Sequence, residues 1–296
     1  MRLGPFDTSR INVRSSDGGG GSGMGRAGGV GCGTLVIALI GALVFGLDPS
    51  QTIGLVQSVQ EQTGAPAQGS RAGGGRELSE QEICTSSEYA TEACSALTNL
   101  NDTWEASFRR VGLPFEQPGL DLFRNGRVDT GGCGSATSAV GPFYCPADKV
   151  IYIDTSFYDQ LAQMSGTGGD FARYYVIAHE YGHHIQSITG LSDQVRTAQR
   201  SNPAAANRLQ VAMELQADCY AGMWAGKNRQ LIDAGDLEEG LKAASAIGDD
   251  TLQRNAGQSV NPESFTHGTS RQRMAALRLG LEATDDRACN VFFEGG

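Results

Sequence analysis

The pattern of apolar and polar positions divides the chain into unlike parts. Residues 30–47 form an unbroken run without a charged side chain. Its length sits at the short end for spanning a bilayer, which takes about 20 apolar residues. Residues 1–29 and 48–82 are rich in Gly, Ser, Gln and Ala and read as a flexible tail and a linker. Regular spacing begins beyond them. Within residues 95–111, Leu97, Leu100, Trp104 and Phe108 recur at three- and four-residue steps and predict an amphipathic helix, which Pro114 and Pro118 end. Residues 143–145 and 149–154 read as short strands, and Pro146-Ala147-Asp148 between them predicts a hairpin. From Asp170 the pattern is helical, with Asp170 as N-cap and Gly190 as terminator of the first helix. Pro203 suits the first turn of a helix reaching Lys227. Further helices are predicted near 236–254 and 270–282. The fold class is α+β: mostly helical with a small sheet, carried behind one N-terminal transmembrane helix.

This reading gives four parts: a flexible cytoplasmic tail (1–29), a transmembrane anchor (30–47), a linker (48–82) and a soluble domain (83–296). Asp48-Pro49 follows the apolar run where a cleavable signal would need small residues, so the run reads as an anchor. Arg2, Arg10, Arg14 and Arg26 precede it, and no Lys or Arg follows before Arg71. The positive-inside rule then puts the N-terminus in the cytoplasm and the domain outside the cytoplasmic membrane. Six of the seven cysteines lie after the run, which fits disulfides in an oxidising compartment; the spacing does not choose their pairing. The formal net charge is −10 with no basic stripe, which argues against a nucleic-acid partner. Nothing in the sequence sets an oligomeric state.

The chemistry is concentrated in His179-Glu180-Tyr181-Gly182-His183. The chain has four histidines, and three of them are His179, His183 and His184. One helical turn separates His179 from His183, so both imidazoles reach one metal ion from the same side. Glu180 is rotated about 100° from His179 and can reach an attacking water without ligating the metal. Tyr174, Ile177, Ala178, Tyr181, Ile185 and Ile188 fall on the opposite side and predict a core-facing stripe. His184 is assigned no ligand role.

A hydrolytic zinc site takes a third protein ligand and leaves one position open. Glu214 on the following helix is the candidate, with Asp218 one turn later to accept the free N–H of a ligating histidine. Ala217 and Ala221 beside them would let the two helices approach closely. Two roles are open to His267: a hydrogen-bond donor to a developing oxyanion, or a packing contact before the last helix. An extended peptide substrate is expected to pair with the strand at 149–154.

Residues 141–148 (GPFYCPAD), 151–154 (IYID), 169–172 (GDFA), 176–186 (VIAHEYGHHIQ), 214–222 (ELQADCYAG) and 265–270 (FTHGTS) occur in that order. Together they resemble the putative neutral zinc metallopeptidase family of bacteria. The resemblance implies a zincin fold held at the inner membrane, zinc on His179, His183 and Glu214, and Glu180 as general base. Asp218 then follows a gluzincin-like arrangement, although Met213 stands where an asparagine often precedes that Glu. It also implies Cys133 with Cys145 and Cys219 with Cys289, leaving Cys84 with Cys94. The expected activity is zinc-dependent peptide hydrolysis outside the cytoplasmic membrane, on a peptide or protein substrate. The alternatives are a zinc-bound envelope scaffold or quality-control factor without hydrolysis, and a zinc amidase acting on cell-wall peptide.

Overall fold

The computed structural model describes residues 1–16, 78–124 and 126–293. In chain order the elements are β1 (Val13–Ser15), α1 (Glu80–Cys84), α2 (Glu88–Val111), β2 (Gly119–Phe123), β3 (Arg127–Asp129), β4 (Ser135–Thr137), β5 (Phe143–Cys145) and β6 (Val150–Asp154). They are followed by α3 (Phe157–Ser165), α4 (Asp170–Ile188), α5 (Leu191–Ser201), α6 (Ala206–Lys227), α7 (Asp236–Ala246), α8 (Asp249–Asn255) and α9 (Ser270–Glu282). The architecture is α+β, mostly helical with a small mixed sheet.

The predicted hairpin is present: β5 pairs antiparallel with β6, with Cys145 opposite Val150. The sheet order β1-β2-β6-β5 places β6 between two neighbours. All five residues of β6 are buried, and β2 runs parallel along its other side. An extended peptide therefore has no free edge on the strand at 149–154, contrary to expectation. The sheet's edge on that side is β5.

The largest departure from the sequence reading concerns the start of the chain. Met1, Ile11 and Val13 are buried in the main core. β1 pairs in parallel with β2, with Val13 opposite Leu120. Asn101 donates to the Arg10 carbonyl at 2.7 Å, and Arg14 Nε donates to the buried Asp121 carboxylate at 2.6 Å. Residues 1–16 are thus part of the folded body and not of a flexible tail. Three of the four arginines counted for membrane orientation are ion-paired there: Arg2 with Asp233, Arg10 with Asp102 and Glu105, and Arg14 with Asp121.

No helix among the described residues is long and apolar enough to cross a membrane. The anchor and linker expected at 30–47 and 48–82 fall almost wholly outside the described residues, which resume at Leu78. β1 and β2 pair only where Ser16 and Leu78 lie on the same side of any bilayer. A cysteine at the exposed Ser9 is therefore expected to react with a membrane-impermeant maleimide in intact cells as readily as one at the exposed Ser201. Labelling of the Ser9 position only after permeabilisation, with Ser201 labelled in intact cells, would refute the shared compartment.

The helix carrying the two candidate histidines, α4, lies at the centre of the body and packs on α2, α6 and α7. Of the predicted stripe, Tyr174, Ile177, Ala178, Tyr181 and Ile185 are buried in the core and Ile188 packs against it partly buried. Gly182 sets the distance to α6: a Cβ there would lie 2.8 Å from the Cα of Ala217. The α6–α9 contact is closer still, since a Cβ on Gly280 would meet the Cys219 carbonyl oxygen at 1.8 Å. Residues 236–254 do not form one helix. The chain breaks at Ile247-Gly248, where a Cβ on Gly248 would lie 2.3 Å from the backbone nitrogen of Ser270. Disulfides join Cys84–Cys94, Cys133–Cys145 and Cys219–Cys289, the pairs that the resemblance implies. The last of these ties α6 to the C-terminal segment.

Candidate metal centre

His179 and His183 stand one turn apart on α4 and face Glu214 on α6. The Nε2 atoms of His179 and His183 lie 3.2 Å and 3.5 Å from Glu214 Oε2. One ligand atom from each of the three residues fits within 4.8 Å of the others. In a tetrahedral site with bonds of about 2.0–2.1 Å, neighbouring ligand atoms stand about 3.3 Å apart. The two measured edges straddle that value. Two imidazole nitrogens and a carboxylate oxygen are donors that zinc takes, so the residues present fit the ion.

Each histidine is held by its other nitrogen. His179 Nδ1–H donates to Asp218 Oδ1 at 2.8 Å, and His183 Nδ1–H donates to Gln186 Oε1 at 2.9 Å. Gln186 is itself fixed, donating to the Met213 carbonyl and to Gln216 Oε1. Both tautomers are thereby set with Nε2 free to ligate. Glu214 Oε1 accepts from Gln210 at 2.9 Å, leaving Oε2 toward the imidazoles.

The electrostatics call for a cation. Burial opposes ionisation of Glu214, but His183 and His179 outweigh it and hold the carboxyl well below its usual range. Burial likewise opposes a charge on His179, and Asp218 and Glu214 reverse this, raising its pKa to about 9. A pocket that draws a proton this strongly onto an imidazole also favours a divalent ion in its place.

Glu180 is buried at 7% exposure. Its charge bears on His183, which places it beside the candidate ligands. Asp218 is fully buried. Its Oδ1 accepts from Tyr175 Oη at 2.5 Å and from Arg273 Nη2 at 2.9 Å, and its Oδ2 from Arg273 Nε at 2.8 Å. Burial would raise its pKa, yet Arg273 and His179 bring it down to about 2.

His267 is buried, and its Nδ1 lies 3.0 Å from Asp249 Oδ1. The other oxygen of Asp249 accepts the backbone N–H groups of Thr266, His267 and Gly268 at 2.7, 2.6 and 3.1 Å. The imidazole is thus oriented by a carboxylate. Gln186, Asp249 and Arg273 were not among the residues the sequence singles out. The break-and-start pattern Gly248-Asp249-Asp250 was the one available signal for Asp249.

His184 points away from this centre. Its Nε2–H donates to the Glu116 carbonyl at 2.7 Å, and its Nδ1 accepts from Tyr144 Oη at 3.1 Å. Burial keeps it neutral, lowering its pKa to about 4. An unfolded histidine titrates near 6.5, so below that pH the unfolded chain takes up a proton that the folded chain refuses. Stability is expected to fall from pH 6.5 toward pH 4, by about 3 kcal/mol from this residue. Denaturant unfolding of wild type and H184Q across pH 7 to 5 checks this. The difference between the two should shrink as the pH drops, and parallel curves would remove His184 as the cause.

The fold and the centre define an α+β protein with a His-Glu-x-x-His helix and a glutamate from a second helix at one candidate metal position. The chain belongs to the putative neutral zinc metallopeptidase family, which it matches over residues 7–292. It is 43% identical over 286 residues to the uncharacterized protein YpfJ of Escherichia coli (strain K12), covering 94% of this chain and 93% of that protein. It is 41% identical over 191 residues to the uncharacterized protein Rv2575 of Mycobacterium tuberculosis (strain ATCC 25618 / H37Rv), covering 60% of this chain and 63% of that one. No solved structure matches the chain significantly.

Proposed function

We propose that this chain is a zinc-dependent peptidase that hydrolyses peptide bonds outside the cytoplasmic membrane. The observation that carries the reading is the convergence of His179, His183 and Glu214 on one point, with Glu180 on the same helix as the two histidines. The family name implies the same ion. Bound there, zinc would acidify a water and polarise a carbonyl. Glu180 accepts the proton of the attacking water and delivers it to the leaving amine. Asp249 orients His267, and His267 donates a hydrogen bond to the oxyanion as the carbonyl carbon becomes tetrahedral. Asp218 and Gln186 keep the two ligand imidazoles from turning or taking the wrong tautomer.

Three converging protein donors favour hydrolysis over a scaffold role, because a structural zinc site normally closes with four. The three disulfides support an oxidising compartment.

The test is digestion of a peptide library by the full chain, read by mass spectrometry, with and without a chelator. The full chain is needed because β1 belongs to the body. Zinc-restored, chelator-sensitive cleavage is expected. A zinc-loaded protein that cuts no peptide but releases cell-wall stem peptides would turn the reading to an amidase; one that cuts neither would turn it to a scaffold.

A further inference from the structure

Arg273 is buried at 2% exposure in the first turns of α9, where a lone guanidinium would be costly. It is not alone. Its planar fork closes on both oxygens of Asp218, through Nε at 2.8 Å and Nη2 at 2.9 Å. Nη2 also reaches Tyr175 Oη at 3.1 Å, and Nη1 donates to the Ile247 carbonyl at 3.1 Å. One side chain therefore ties together α4, α6, α9 and the break between α7 and α8. Asp249 follows Ile247 by two residues and holds His267.

We propose that Arg273 is a positioning residue for both halves of the centre. On one side it fixes the rotation of the Asp218 carboxylate, so that Oδ1 meets the Nδ1–H of His179 and Nε2 is presented for the metal. On the other it pins the break that carries Asp249, and so the orientation of His267. Its Nη2 also comes within 3.3 Å of His179 Nδ1, the nitrogen turned away from the metal position, so it acts through the ligand's far side. A lysine keeps the charge but loses the bidentate fork, and so cannot hold the carboxylate in one rotation. The proposal rests on His179 being a ligand, as in the reading above, but not on hydrolysis.

The test is zinc affinity of the full-length R273K, D218N and double variants, by competition with a chromophoric chelator, with far-UV circular dichroism to confirm folding. R273K is expected to bind zinc about 10–100-fold more weakly, the size seen when the outer partner of a ligand is lost. The double variant should be little worse than D218N alone, because both changes break one link. The visible spectrum of the cobalt-loaded R273K protein should shift as His179 reorients. Folded R273K with wild-type zinc affinity overturns the proposal, as do losses that add independently.

Should R273K fail to fold, Y175F removes one donor from the same carboxylate oxygen. It is expected to weaken zinc binding a few-fold, and wild-type affinity there overturns the proposal equally. Zinc is measured without any peptide. A wild-type protein that binds zinc and cleaves nothing would therefore sink the peptidase reading and leave this one standing.

Discussion

Glu180→Gln is expected to keep zinc and lose hydrolysis. Glutamine matches the glutamate in size and keeps one oxygen, so the surroundings of α4 should not rearrange. It cannot take a proton at neutral pH. The candidate ligands His179, His183 and Glu214 are untouched, and their holders Asp218 and Gln186 remain in place. General acid–base catalysis is worth about 10²–10⁴ in rate, or about 3–5 kcal/mol of barrier. The variant should therefore show kcat lower by that factor, with zinc content and unfolding midpoint near wild type. Metal analysis beside peptide cleavage makes the check. Full activity in the zinc-loaded variant would remove Glu180 as the base. Loss of zinc together with activity would instead make Glu180 part of the metal's own shell.

The centre was legible in the sequence to the extent that its parts are local. His179, Glu180 and His183 share a helix, so one period fixes their relation. Glu214 and Asp218 share another, and the small Ala217 and Ala221 foretell that the two helices approach closely, as they do where Gly182 meets Ala217. What holds those residues from outside was not legible. Arg273 meets Asp218 across 55 positions and His267 meets Asp249 across 18, and no spacing rule reaches that far. Gln186 sat within reach, three residues from His183, but glutamine on a helix carries no sign of a buried partner. The strands show the same limit. The sequence placed β5 beside β6 as a hairpin but could not say that β2 would run along its other side. β1 is three residues long, and Arg14 pairs with Asp121 across 107 positions. A segment this short inside a glycine-rich stretch looks like a tail until its partner is known.

His267 carries the second large expectation, because the sequence left it two roles and the proposed reading assigns it the first. A packing histidine before a helix needs no carboxylate aimed at its ring. Here Asp249 spends one oxygen on three backbone N–H groups and the other on Nδ1. The first oxygen holds the loop's backbone and the second meets the imidazole. With Nδ1–H directed at Asp249, a hydrogen bond donated from Nε2 takes the doubly protonated ring, whose charge the Asp249 carboxylate would balance. Removing one oxyanion donor costs about 10²–10³ in kcat. H267A is expected to lose that much, with KM changed little and zinc retained, since the loop's backbone bonds to Asp249 do not involve the side chain. H267Q offers an N–H from a similar reach and should recover part of the loss. A fall in unfolding midpoint with kcat unchanged would assign His267 to packing. A loss of kcat that H267Q does not relieve at all would place its action elsewhere than in donating a hydrogen bond.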